Sequence, residues 1–162
     1  MTDALAFLLI RPENVLPTTT IMVVVVGMLV LAAVDVWRRE VEDYAVVILL
    51  GISVAGMYLE GIQPMQWLGA LLAAGIAFGV YLVLGMRGAM GGGDVKLSVV
   101  PAFVLGAVNP LVGIWWVACA ILIHQGICLV YTRIRRRRAV LPHVPAMAAA
   151  AIIASVAFPP LL

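Results

Sequence analysis

At 162 residues, 65% of them hydrophobic and 11% charged, the chain carries too few polar residues to clothe a soluble globule of its size. Ten Lys and Arg against eight Asp and Glu leave a formal net charge of +2. The composition is that of an integral membrane protein, whose surroundings are the lipid bilayer and for which no nucleic-acid partner is expected.

Taken in chain order, the apolar stretches can be tested against the roughly 20 residues needed to cross about 30 Å of hydrocarbon. Met1–Pro17 holds only a seven-residue apolar run, Ala4–Ile10, after an acidic start, so it reads as an interfacial segment rather than a cleavable signal peptide. Six spans follow: Thr20–Val36, Tyr44–Leu59, Trp67–Met86, Val95–Ala107, Leu111–Tyr131 and Val140–Phe158. The second and fourth are short, and should be tilted or begin within a cavity. The expected fold is all-α, a polytopic bundle of six transmembrane helices forming one domain over residues 1–162. Prolines at Pro142 and Pro145 suit the start of the last span, where a missing N–H would have no helical partner anyway.

Orientation follows from the basic residues. Nine of the ten (Arg38, Arg39, Arg87, Lys96, Arg133 and Arg135–Arg138) fall in the connections after spans one, three and five, which are therefore expected to be cytoplasmic, with both termini outside. Span one then ends at Asp35 on the same face from which span four starts, just after Asp94. The arginines from Arg133 to Arg138 suit anionic headgroups, and Lys96 is placed to snorkel to the interface.

Gly91-Gly92-Gly93-Asp94 is the most unusual segment, because a carboxylate at membrane depth costs several kcal/mol, roughly 2.5–3.5 on insertion scales, and normally faces protein or a water-filled cavity. Glycines permit φ > 0 and close approach of another backbone, as a break beside a site would need. A tight turn or a small-residue packing seam ending at an interfacial Asp is the plainer alternative. Gly93→Val is expected to be harmful and Gly69→Ala, within span three, to be tolerated.

Two carboxyl groups held close together cannot both ionise cheaply, so the pair shares a proton and offers an acid and a base at once. One can take a proton from water attacking a carbonyl while the other protonates the oxygen and then the leaving amine. No metal set competes: His124 and His143 are far apart in sequence, His124 reads as a hydrogen-bonded core histidine, and Cys119 and Cys128 read as helix-packing residues. No cofactor is expected.

Val34-Asp35-Val36-Trp37-Arg38-Arg39-Glu40-Val41-Glu42-Asp43-Tyr44, followed by Met90-Gly91-Gly92-Gly93-Asp94-Val95-Lys96-Leu97, resembles the type IV prepilin peptidases, intramembrane aspartyl proteases with a GxGD signature. The Arg-Glu-Val-Glu-Asp-Tyr run is most similar to the archaeal preflagellin and prepilin peptidases, and the Ile-Pro-Asn more usual in bacterial members is absent. The Leu141–Pro145 segment is also similar to the entry to the last span in that family. The resemblance implies that Asp35 and Asp94 are catalytic and cytosolic. It further implies that the partner is a type IV pilin or archaellin precursor, cut behind a short basic leader at the cytoplasmic membrane. The paired CxxC motifs of the large bacterial enzymes are missing, which implies peptidase activity without N-methylation.

Glu40, Glu42 and Asp43 would join the two aspartates in attracting a cationic leader; alternatively they form a solvated loop interleaved with Arg38 and Arg39. A small transporter or proton channel, or a non-catalytic pilus-assembly subunit, are the competing functions. Spans two, three and six offer essentially no internal ionisable residue to relay a proton.

Overall fold

The computed structural model describes residues 16–40, 42–135 and 141–158, and every regular element among them is helical. The run Ala4–Ile10, together with Arg11, Val41 and Arg136–Arg138, lies outside the described residues. Helix α1 (Thr18–Arg38) ends where Arg39 turns left-handed at φ 58° and donates its N–H to the carbonyl of Asp35 at 2.8 Å. Its other end is held by Glu60, which accepts from the backbone N–H of Thr19 at 2.7 Å and from the Thr20 hydroxyl at 2.5 Å. An acidic side chain thereby meets the unpaired N–H groups of a helix start, where the dipole favours it.

Since Glu60 directly follows α2 (Asp43–Leu59), the same contact pins the start of α1 to the end of α2. Helix α3 (Pro64–Met86) opens on a proline in its first turn and leaves through Gly88, whose φ of 71° makes the turn that a Cβ would hinder. Two short helices follow, α4 (Gly92–Leu97) and α5 (Val99–Val108), then α6 (Pro110–Arg135) and α7 (Val144–Ala157).

Helices α1, α3 and α6 are long and apolar enough to cross a membrane, and α2 and α7 are shorter apolar helices. The chain is thus a membrane protein of several apolar helices. The fourth expected span, Val95–Ala107, comprises two helical pieces, α4 and α5, meeting at Ser98, whose backbone stays helical at φ −57°, ψ −26° and whose hydroxyl bonds the carbonyl of Val95 at 2.8 Å; Pro101, lacking an N–H, interrupts the hydrogen-bond ladder there. The last helix starts at Val144, with Leu141–His143 outside it, where Pro142 disfavours helical backbone in the residue before it; Val140, the expected start of that span, lies outside the described residues.

The core is built on α5, in which every residue from Val100 to Val108 is buried. Small residues let its backbone touch that of α3. A Cβ on Gly106 would lie 2.5 Å from the Ala73 methyl and 2.8 Å from the Gly69 carbonyl oxygen, and one on Gly69 would lie 2.7 Å from the Gly106 carbonyl oxygen. Such close approach is how apolar helices gain packing energy where lipid competes equally for any larger side chain. Gly69→Ala is therefore not the tolerated change expected from sequence, because its methyl would meet backbone that cannot rotate away. Gly75 and Gly79, with nothing near their missing Cβ atoms, are the permissive positions of the same helix.

Candidate active site

Along α1 the buried residues Ile21, Val24, Met28, Leu31 and Ala32 recur at helical spacing, and Asp35 continues that stripe. Its carboxylate is therefore directed into the bundle rather than to lipid. Asp35 is 7% exposed, and its Oδ2 accepts the backbone N–H of Val144 at 3.2 Å. That N–H belongs to the first turn of α7, one of the unpaired donors with which a helix start receives an anion.

Asp94 stands in the first turn of α4. Its Oδ2 accepts the Gly91 N–H at 3.1 Å, a short loop that fixes the carboxylate at the helix entrance. The three glycines do not supply left-handed backbone: Gly91 is extended at φ −75°, ψ 155°, and the left-handed glycines among the described residues are Gly61 and Gly88. What the glycines give is a bare wall. Gly91, Gly92 and Gly93 line a cleft of about 620 Å³ together with Asp35, Asp94, Arg39, Glu40, Glu42, Asp43 and Tyr44. A Cβ on Gly91 would reach van der Waals contact with Asp94 Oδ2 at 3.4 Å, and around Gly92 the space is open.

The structure thus brings Asp35 and Asp94 to one cleft from distant points of the sequence. Asp94 stands just before the fourth apolar run, Val95–Ala107, and there it is held well above the ordinary carboxylate range, at about 6. Burial is the main cause; the Gly91 N–H works against it and the negative charge of Asp35 adds to it. A carboxyl so placed holds its proton up to about pH 6, well past the point where an ordinary carboxyl has lost it, and unequal sharing of this kind lets two like groups take opposite roles.

The acidic rim is partly compensated. Lys96 does not simply extend to the interface: its Nζ meets Asp43 Oδ2 at 2.6 Å, joining α4 to the start of α2. Both side chains are more than half exposed, so the pair is worth at most about 1 kcal/mol, but it occupies Asp43 and leaves Glu40 and Glu42 as the rim's less engaged acids.

Beneath the cleft lies a polar cluster that sequence reasoning missed. Tyr81 Oη and His143 Nε2 are 2.9 Å apart, both residues being buried. The ring of His124 stands edge-on to that of His143 with centroids 4.5 Å apart, and His124 Nε2 lies 3.4 Å from Cys128 Sγ. Trp116 stacks on Tyr81 and donates its indole N–H to the Met147 carbonyl at 3.2 Å, closing the cluster from below. Spans three and six thus do carry internal ionisable groups, and the two histidines, distant in sequence, are neighbours. The available signals were a lone Tyr in an apolar span and a His between two prolines. No group of three or more metal-ligating side chains occurs among the described residues.

The family model described as the type IV leader peptidase family matches residues 22–133, a stretch that includes both Asp35 and Asp94 and stops short of His143. No curated protein and no solved structure matches the chain.

Proposed function

Because the chain belongs to the type IV leader peptidase family, and is accordingly a membrane peptidase of pilin-like precursors, we propose that it is an aspartic endopeptidase in which Asp35 and Asp94 together activate water. The observation that supports this most is the opening of both carboxyls into one cleft whose facing wall is bare glycine. Gly91, Gly92 and Gly93 leave room for an extended peptide backbone to lie against Asp94. The ionised member of the pair takes a proton from the attacking water while the protonated member gives its own to the carbonyl oxygen; as the resulting gem-diol collapses, the first passes the water's proton to the departing amine and the second takes a proton back from the diol hydroxyl. The precursor is a type IV pilin or an archaellin, and the cut falls behind its basic leader on the cytosolic side, with six spans and both termini outside. The direct test is incubation of the purified protein with such precursors and a search by mass spectrometry for the shortened product. A protein that leaves every precursor intact, though folded, would overturn the reading.

The proton held by Asp94 sets the pH dependence. A raised carboxyl is protonated below its pKa and loses the proton as pH rises through it, so kcat/KM, which reports the free enzyme, should decline as pH rises above about 6. A profile still climbing through pH 8 would contradict a required acid form.

Leader recognition belongs to the rim. Glu40→Gln with Glu42→Gln should raise KM for a basic-leader precursor by about three- to tenfold at low salt and leave kcat unchanged. The difference should shrink at high ionic strength, as it does for exposed charges. A loss that is independent of salt would assign these residues a structural role.

A further inference from the structure

We propose that His143 is a positioning residue, which with Tyr81 forms a strut that sets the separation of Asp35 and Asp94. This rests on the reading of those aspartates as the reacting pair. The two carboxyls have no covalent connection shorter than the chain between them, and the helices that carry them, α1 and α4, meet in the bundle through others. Asp35 is tied to the first turn of α7 by the Val144 N–H at 3.2 Å. The residue immediately before, His143, is 4% exposed and meets the phenol oxygen of Tyr81 at 2.9 Å. Tyr81 is fully buried one turn before the end of α3, the helix that leads through Gly88 into the glycine wall and Asp94.

One hydrogen bond therefore closes a circuit: Asp35, Val144, His143, Tyr81, the end of α3, Asp94. It is a polar tie between the half of the site held by α7 and the half that follows α3. The surroundings fix it in place. Trp116 stacks on Tyr81 at 6.4 Å between centroids, His124 packs on the His143 ring, and Trp116 holds the Met147 carbonyl one turn along α7.

The remaining nitrogen of His143, Nδ1, is buried with no partner among the described residues. A phenylalanine- or leucine-like residue would fill this space without an orphaned polar atom, which is unfavourable in a buried site. A histidine kept in spite of that has its use in the bond on its other side, to Tyr81. Its role is positional, since it reaches Asp35 through the main chain of Val144 rather than by its own ring.

The test compares Tyr81→Phe, His143→Leu, His143→Gln and the double variant Tyr81→Phe/His143→Leu. Tyr81→Phe removes one hydroxyl and keeps the packed ring, so it reads the bond in a folded protein. Tyr81→Phe and His143→Leu should each lower kcat by about ten- to hundredfold, the scale of a sub-ångström to ångström misplacement, with KM within about twofold. The double variant should be no worse than the singles, because both remove the same strut. His143→Gln, whose amide can still bond the phenol, should recover most of kcat.

A second reading needs no substrate. The Asp94 carboxyl, followed by carbon-13 NMR across pH, faces Asp35 from α1 and Tyr81 from α3. Its midpoint should fall in Tyr81→Phe and His143→Leu as Asp35 draws away, and stay in place in His143→Gln. An unchanged kcat in Tyr81→Phe, equal losses in the Gln and Leu variants, or an unmoved Asp94 midpoint would each overturn the strut. If the native protein cleaves no precursor, the proposed activity fails and the titration alone still decides the geometry.

Discussion

Asp35→Asn and Asp94→Asn should each reduce precursor cleavage by at least about 10³-fold, within the 10²–10⁴ that a positioned acid or base contributes and close to its upper part because each loss disables both roles. A shared proton needs two carboxyls; an amide neither accepts it nor gives it up. The substitutions should leave the fold in place for a reason visible at each site. An amide oxygen introduced at position 35 can still accept the Val144 N–H, and one introduced at position 94 can still accept the Gly91 N–H, the two contacts that anchor the native side chains. Quantitation of the shortened product by mass spectrometry, beside a thermal unfolding curve in detergent, separates chemistry from folding. A single variant that unfolds like the native protein and still cuts at a tenth of its rate or better would remove that residue from the reaction.

The positions of the helices were legible because lipid imposes a length on each apolar run, and the breaks between runs are marked by charge, Pro and Gly. The two aspartates were legible for the related reason that a carboxylate near such runs requires an explanation. What the sequence did not carry was who meets whom. Apolar periodicity says that Tyr81 and Gly69 lie in a helix, but a lipid-facing residue and a core residue are both apolar here, so the pattern that marks the buried face in a soluble protein is muted. Gly69 consequently read as permissive, and its contact with the Gly106 carbonyl appears only once α3 and α5 are packed. Lys96 and Asp43 are 53 residues apart, and their pairing depends on α4 and α2 meeting at the rim. The break at Ser98 was hidden because Leu97, Val99 and Val100 continue the apolar run across it. The glycines before Asp94 were read for backbone freedom, whereas φ > 0 is needed earlier, at Gly88, and their own contribution is the absence of side chains.

Two glycine substitutions should consequently fail in opposite ways. Gly93→Val should leave a folded protein that cleaves at least about 10²-fold less, because Gly93 lines the cleft beside Asp94 and added bulk at that wall would narrow the path proposed for the peptide backbone; misplacement of reacting groups by an ångström already costs about that much. Gly106→Val should instead lose the folded state. Even a methyl there would lie 2.5 Å from Ala73 and 2.8 Å from the Gly69 carbonyl, and Gly113 on α6 crowds the same seam, with the Ala73 methyl 2.7 Å from where its own Cβ would be. Forcing three packed helices apart for two methyl groups more should exceed the roughly 1–3 kcal/mol typical of overpacking, since the obstructing atoms include main chain that no rotamer change can move. Gly79→Ala, into open space on α3, is the control that should change neither activity nor stability. Detergent-solubilised yield and unfolding temperature read the fold, and mass spectrometry of the precursor reads the cut. Parallel loss of fold at positions 93 and 106 would mean that the glycine wall is a packing seam like the one at Gly106; normal cleavage by Gly93→Val would mean that substrate does not pass along it.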